Sequence, residues 1–251
     1  MDLNSDLGEG YGAWSMGDDD ALLNIVTSAN VACGYHAGDP VTMRRTVATA
    51  AERGISVGAH VSYPDRRGFG RRHVVMSAEE LAADLLYQLG ALEAMTRVAG
   101  TRVRYVKPHG ALYNEMAVDA ELAATVAGAI AAFDPALPLL GLPGSVALAE
   151  AERAGLPVFR EGFADRAYDR DGRLVPRGRP GAVLHDPDLV AARVLRMARG
   201  EDIEAEDGTS LRLDVDTVCI HGDSPGAVDM ARRVRDVLGE AGVAVAPFVR
   251  A

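Results

Sequence analysis

Five of the six histidines fall at the end of a short apolar run or in the turn just after it: His36, His60, His109, His185 and His221. Imidazole titrates near neutrality, so histidines gathered in one place suit general acid–base work. Carboxylates keep the same register. Asn4 and Asp6 lie two apart in the first run, which puts both on one face of a strand. Asp39 follows His36, and Asp223 follows His221 at a spacing of two. Asp39 is also explained as a helix N-cap, whereas Asp223 has Ser224 beside it as the better cap. The same histidines with an Asp oxygen could hold a divalent metal, although neither HExxH nor CxxC spacing occurs. His185 reads as an ordinary turn histidine, and His73, in an Arg-rich loop, as a solvated one.

Of 26 basic residues, 25 are arginine and one, Lys107, is lysine. A lone lysine in so biased a chain points to a place that wants a compact ammonium rather than a planar guanidinium. It stands in Lys107-Pro108-His109-Gly110, where strand alternation puts Lys107 and His109 on one side. An ammonium there suits a developing oxyanion or a phosphoryl oxygen. The segment 63–72 carries four arginines, Arg71 among them, pivoting on Gly68 and Gly70. It reads as a lid that binds an anion, with a solvated loop or a docking patch as the plain alternative. Arg166, at the end of the run Glu161–Arg166, is a candidate to grip a substrate carboxylate, while Trp14 and Met16 read as packing residues. Gly8-Glu-Gly-Tyr-Gly-Ala13 matches a dinucleotide fingerprint in spacing only, since neither a clear helix nor the acidic ribose ligand follows. No P-loop is present.

Apolar runs that read as strands are Asp2–Leu7, Ile25–Cys33, Ile55–Val61, Val103–Lys107, Leu137–Leu142, Pro157–Phe163, Gly181–Leu184 and Val215–Ile220. Helical patterns fall between them near 40–53, 78–99, 119–133, 144–154, 187–199 and 225–241. Asp39-Pro40, Asp186-Pro187 and Ser224-Pro225 each place a capping oxygen before a proline, and Ser77 to Glu80 spells a capping box. Strands alternating with helices mean a parallel sheet, and seven or eight such units without a linker favour one closed (β/α) barrel over residues 1–251. In such a barrel every strand's C-terminal end points to one face, where the histidines would meet.

A net charge of −10 argues against nucleic acid or an anionic membrane as partner. Two cysteines give no disulfide framework, and the acidic N-terminus carries no basic-then-apolar signal, so a cytoplasmic setting is expected. No apolar run reaches the roughly 20 residues of a membrane helix.

The stretches DLNSDLGEGYGAW, ANVACGYHAGDP, GAHVSYPD, GFGRR, VKPHGALYN, EGFADRAY and CIHGD, in this order, resemble the LamB/YcsF family, the family of the 5-oxoprolinase A subunit. The likeness runs from residue 2 to about residue 247. It implies a distorted TIM-like barrel related to the polysaccharide deacetylases. It also implies ATP-dependent opening of 5-oxo-L-proline to L-glutamate together with separate subunits B and C, which would carry much of the ATP handling. On that footing Asp6 and His109 are the expected acid and base, His36 and His60 line the pocket, and Lys107 stabilises negative charge. Asn4, Arg71, Arg166, His221 and Asp223 are expected to bind substrate. Two other readings remain open. One is a metal-dependent amidase or deacetylase using His36, His60 and Asp6 without ATP; the other is a non-catalytic substrate-binding subunit.

Overall fold

The computed structural model describes residues 1–222 and 226–249. In chain order its strands are β1 Asp2–Leu7, β2 Ser28–Ala32, β3 Ser56–His60, β4 Tyr105–Val106, β5 Leu139–Gly141, β6 Val158–Phe163, β7 Ile203–Glu204, β8 Ser210–Leu211 and β9 Thr217–Cys219. The helices are α1 Asp19–Leu22, α2 Pro40–Glu52, α3 Ala78–Val98, α4 Gly110–Met116, α5 Ala120–Phe133, α6 Val146–Arg153, α7 Pro187–Ala198 and α8 Ala227–Glu240. Strands β1 to β6 pair in sequence, and β9 closes the ring by pairing with both β6 and β1, all in parallel. The expected (β/α) barrel is therefore present with seven strands.

Alternation along the strands sorts the side chains into two layers. Leu3, Leu7, Ala29, Val31, Val57 and Ala59 belong to the apolar core packed under the helices. The other face fills the barrel with polar groups rather than the branched aliphatics usual in this architecture. At the base Asp2 accepts from Thr27 and Ser28 and is bonded by Thr217. Above it Asn30 donates to Asn4 at 2.7 Å and to Asp6 at 2.9 Å, Asn4 donates to Thr217 at 2.8 Å, and Tyr105 donates to Asn30 at 2.6 Å. Each polar group is satisfied by its neighbour, which is the condition for burying it. This column ends at the C-terminal mouth, where the chemistry-bearing residues begin.

Helix starts form as their sequences dictate. Asp39 accepts from Val41 and Thr42 at the head of α2, Ser77 and Glu80 complete a capping box on α3, and Asp186 caps α7 ahead of Pro187. The Ser224-Pro225 cap falls outside the described residues. Gly181–Leu184 is not a strand. Its backbone is held by Arg166, whose guanidinium bonds the Ala182 carbonyl, and by a single bridge to Val183. A small antiparallel hairpin, β7 with β8, follows α7, and α1 and α4 add turns that no periodic pattern announces. Trp14 is 72% exposed, so it does not pack as expected. Among the described residues no single helix is long and apolar enough to cross a membrane.

Candidate active site

Two groups of side chains meet at the mouth. The first centres on Lys107, which follows β4 and is almost wholly buried. Its ammonium lies 2.8 Å from Asp6 Oδ1, 3.0 Å from Glu161 Oε1, 3.1 Å from Cys219 Sγ and 3.5 Å from Asn4 Oδ1. Burial works against both charges of the Lys107–Asp6 pair. For Asp6, the attraction of His60 and Lys107 outweighs burial and holds the carboxyl well below the usual range. For Lys107, the Asp6 and Glu161 charges likewise win and hold the ammonium above its ordinary value. An ammonium, not a guanidinium fork, fits this cage of single-atom contacts, which accounts for the one lysine in the chain.

The second group is three histidines and Glu9, all buried. His60 Nε2 stands 2.9 Å from His109 Nδ1, 3.3 Å from Asp6 Oδ2 and 4.0 Å from Glu9 Oε1. Glu9 Oε1 is also 3.1 Å from His36 Nε2 and 3.7 Å from His109 Nδ1. His36 stacks on His109 with ring centroids 3.8 Å apart and planes within 6°. Burial, reinforced by the neighbouring imidazoles, pushes His36 and His109 well below the ordinary histidine value, so both rings are neutral at pH 7. Glu9, His36, His60 and His109 lie close enough to share a metal ion, as do Asp6, Cys219 and His221.

The loop after β3 covers this group. Its Phe69 carbonyl accepts from His109 Nε2 at 2.7 Å, and its Gly70 carbonyl accepts from Ala111 N at 2.8 Å. Gly70, at φ 64°, has room for no side chain: a Cβ there would stand 2.8 Å from the His109 ring and 2.9 Å from His36 Cβ. Beside the loop opens a cavity of about 400 Å³, lined by Asp6, Glu9, His60, Lys107, His109 and His221 and rimmed by Arg71, Arg166, Arg173 and Arg177. His221 Nδ1 is 2.8 Å from Asp165 Oδ1, a carboxylate that fixes the ring.

The structure thus gathers Asp6, His60, Lys107, His109, His221, Arg71 and Arg166 around one cavity, with His36 packed behind. Two expectations need correction. Asn4 is fully buried below the mouth and spends its amide on Thr217 and Asn30, so it holds the barrel rather than substrate. Arg166 is engaged with the Ala182 and Val175 carbonyls, and burial draws its guanidinium down to about 10, so it is no free gripping arm. His221 has Asp165 as a carboxylate partner, and Asp223, expected to bind substrate, lies outside the described residues. Glu9 is a site residue that the sequence pattern does not mark, standing between two glycines. The signal was its place just past β1, in the same strand-end register as the histidines. Glu161, on the inward face of β6, also went unassigned.

The profile of the LamB/YcsF family matches residues 1–251. The chain belongs to that family. It is 56% identical over 248 residues to the 5-oxoprolinase A subunit 3 of Pseudomonas syringae pv. tomato, covering 99% of this chain and 97% of that one. Over the same number of residues it is 58% identical to the 5-oxoprolinase A subunit of Mycobacterium avium, covering 99% and 98%. Among solved structures, the lactam utilization protein from Thermus thermophilus superposes with a TM-score of 0.92 at 48% identity, covering 100% of this chain and 98% of that chain.

Proposed function

We propose that this chain is the A subunit of a 5-oxoprolinase and opens the lactam of 5-oxo-L-proline to L-glutamate. We further propose that residues 1–251 act as one catalytic barrel, working with subunits B and C and consuming ATP. The observation that carries the reading is the single cavity shared by an ionised Asp6–Lys107 pair, clustered histidines and an arginine rim. The names of the relatives at 56% and 58% identity supply the substrate class.

The chemistry asks for those groups. A five-membered lactam re-closes favourably, so its opening gains from coupling to ATP. Phosphoryl transfer to the lactam oxygen makes the ring carbon electrophilic. Water then adds to that carbon, the C–N bond breaks with a proton delivered to nitrogen, and the acyl phosphate takes up a second water to release L-glutamate and phosphate. In this scheme Asp6 handles the protons of water and ring nitrogen, while His109, expected as an acid or base, has both ring nitrogens engaged and with His60 positions the attacking water beside it. Lys107 offsets charge growing on oxygen in a site from which water is largely excluded. Arg71 and Arg177, on the rim, take the substrate carboxylate or the phosphoryl group. The absence of a P-loop in this sequence fits ATP entering through the partner subunits. The test is to mix the chain with its B and C partners and follow glutamate release with and without ATP. ATP-dependent release that needs this chain is expected; release without it, or none with all three subunits present, rejects the reading.

A further inference from the structure

We propose that Glu9, His60 and His109 bind a divalent transition-metal ion of the zinc type at the floor of the cavity. The argument starts from hydrogen positions that the backbone fixes. His60 Nδ1 lies 2.9 Å from the Lys107 carbonyl, and His109 Nε2 lies 2.7 Å from the Phe69 carbonyl. A carbonyl only accepts, so each of those nitrogens carries the hydrogen. The opposite nitrogens, His60 Nε2 and His109 Nδ1, are therefore the atoms each ring has left to coordinate with, and they face each other at 2.9 Å. Two lone pairs at that distance repel unless a cation, a shared proton or a metal ion, lies between them. Glu9 Oε1 completes a triangle at 4.0 and 3.7 Å from the same two atoms.

These separations suit one small ion. With metal–ligand bonds of roughly 2.0–2.1 Å in a tetrahedron, ligand atoms stand about 3.3 Å apart. The three observed separations, 2.9, 3.7 and 4.0 Å, bracket that value. The His60 and His109 planes cross at 87°, which lets both in-plane lone pairs reach a common point. His36 does not share that point, because its ring lies parallel to His109 at 3.8 Å and an ion between the planes would sit far out of both. Its place is behind Glu9. Its Nδ1 lies 2.9 Å from Ser62 Oγ and its Nε2 3.1 Å from Glu9 Oε1, and Gln88 clamps the Ser62 backbone at both N and O. Ligands held by outer partners of this kind are the mark of a built metal site.

Two imidazoles and one carboxylate favour zinc-type ions over magnesium or calcium, which want oxygen ligands. All three ligands line the cavity whereas His36 does not, so a fourth position opens to where substrate would sit. Asp6, already paired with Lys107 through Oδ1, stands beside that position with Oδ2 3.3 Å from His60. The inference stands apart from the lactam reading, since binding is measured without turnover.

The test uses tag-free full-length chain stripped with chelator. Titration with Co²⁺ should develop the visible bands of a low-coordinate nitrogen and oxygen site, saturating at one equivalent and displaced by Zn²⁺ but not by Mg²⁺. Zn²⁺ should also raise the Tm of the wild-type chain. Glu9→Gln and His109→Ala should abolish the bands, and His36→Ala should weaken binding by about 10–100-fold. His73→Ala and His185→Ala should bind as wild type. Absence of both the Co²⁺ bands and the Tm shift in the wild-type chain overturns the proposal whatever the variants do, as does full binding by folded His109→Ala.

Discussion

Replacing Lys107 with Met tests the electrostatics of the mouth most sharply. The side chains are similar in length, so the change removes a charge with little loss of packing. It leaves Asp6, 2.8 Å away, and Glu161, 3.0 Å away and completely buried, without their shared cation. Neither Glu161 oxygen has a hydrogen bond of ordinary geometry, so the ammonium is what balances that carboxylate. Stranding one partner of a buried pair costs about 3–5 kcal/mol. For a chain of this size that corresponds to a fall in Tm of about 6–20 °C. The sign with pH follows from the two shifts. Asp6 is held low, so its contribution is present above about pH 4 and fades as pH falls through its folded value. Lys107 is held high, so its contribution is full below about pH 10.5 and fades only above that. The gap between wild type and Lys107→Met should be widest at about pH 7, where the stranded carboxyls are ionised, and narrow as pH falls toward about 5 and protonation relieves them. Urea unfolding followed by far-UV circular dichroism measures it. Adding Glu161→Gln to Lys107→Met should recover at least about 1 kcal/mol, because it removes one stranded charge. A Lys107→Met cost below about 1 kcal/mol, or strict additivity in the double mutant, would refute the reasoning.

Other expectations follow from single sites. Burial raises the Asp19 carboxyl to about 6, so wild-type stability should lose up to about 3 kcal/mol relative to Asp19→Asn as pH rises from about 4 to 6, read from paired urea titrations. A methyl at Gly58 would overlap the Tyr105 ring inside the barrel, so Gly58→Ala should cost about 1–3 kcal/mol or more by the same assay. Gly90, exposed on α3 with open space around it, should instead gain about 0.5–1 kcal/mol on change to Ala. Arg166→Ala should lower stability by about 1–3 kcal/mol through the orphaned Val175 carbonyl and the lost bond to Ala182; an unchanged Tm with a raised KM would restore the gripping role.

Much of the architecture could be read directly because its signals are local. Capping oxygens at Asp39, Ser77 and Asp186 mark helices where they form, and the runs at 2–7, 28–32 and 56–60 become strands. The apolar Gly181–Leu184 run misled because its burial comes from Arg166 reaching across, a contact that periodicity does not encode. Helix α4 was hidden by Pro108 before it and by Gly110 in a left-handed conformation at its first residue, signs that ordinarily mark a turn. At the site, the strand-end register of His36, His60, His109 and His221 and the isolation of Lys107 were enough to name most of the cluster. Glu9 and Asp165 needed the fold, since each reaches a histidine from a different strand's loop, 27 or 56 residues away in the chain.

The central claim is that the groups converging on the mouth carry out lactam opening. Glutamate release by the reconstituted three-subunit complex, with His109→Ala replacing the wild-type chain and assembly verified, tests it most directly. The account predicts a fall of about 100-fold or more in turnover, the loss that misplacing a reacting group can cause. Turnover within twofold of wild type would contradict it.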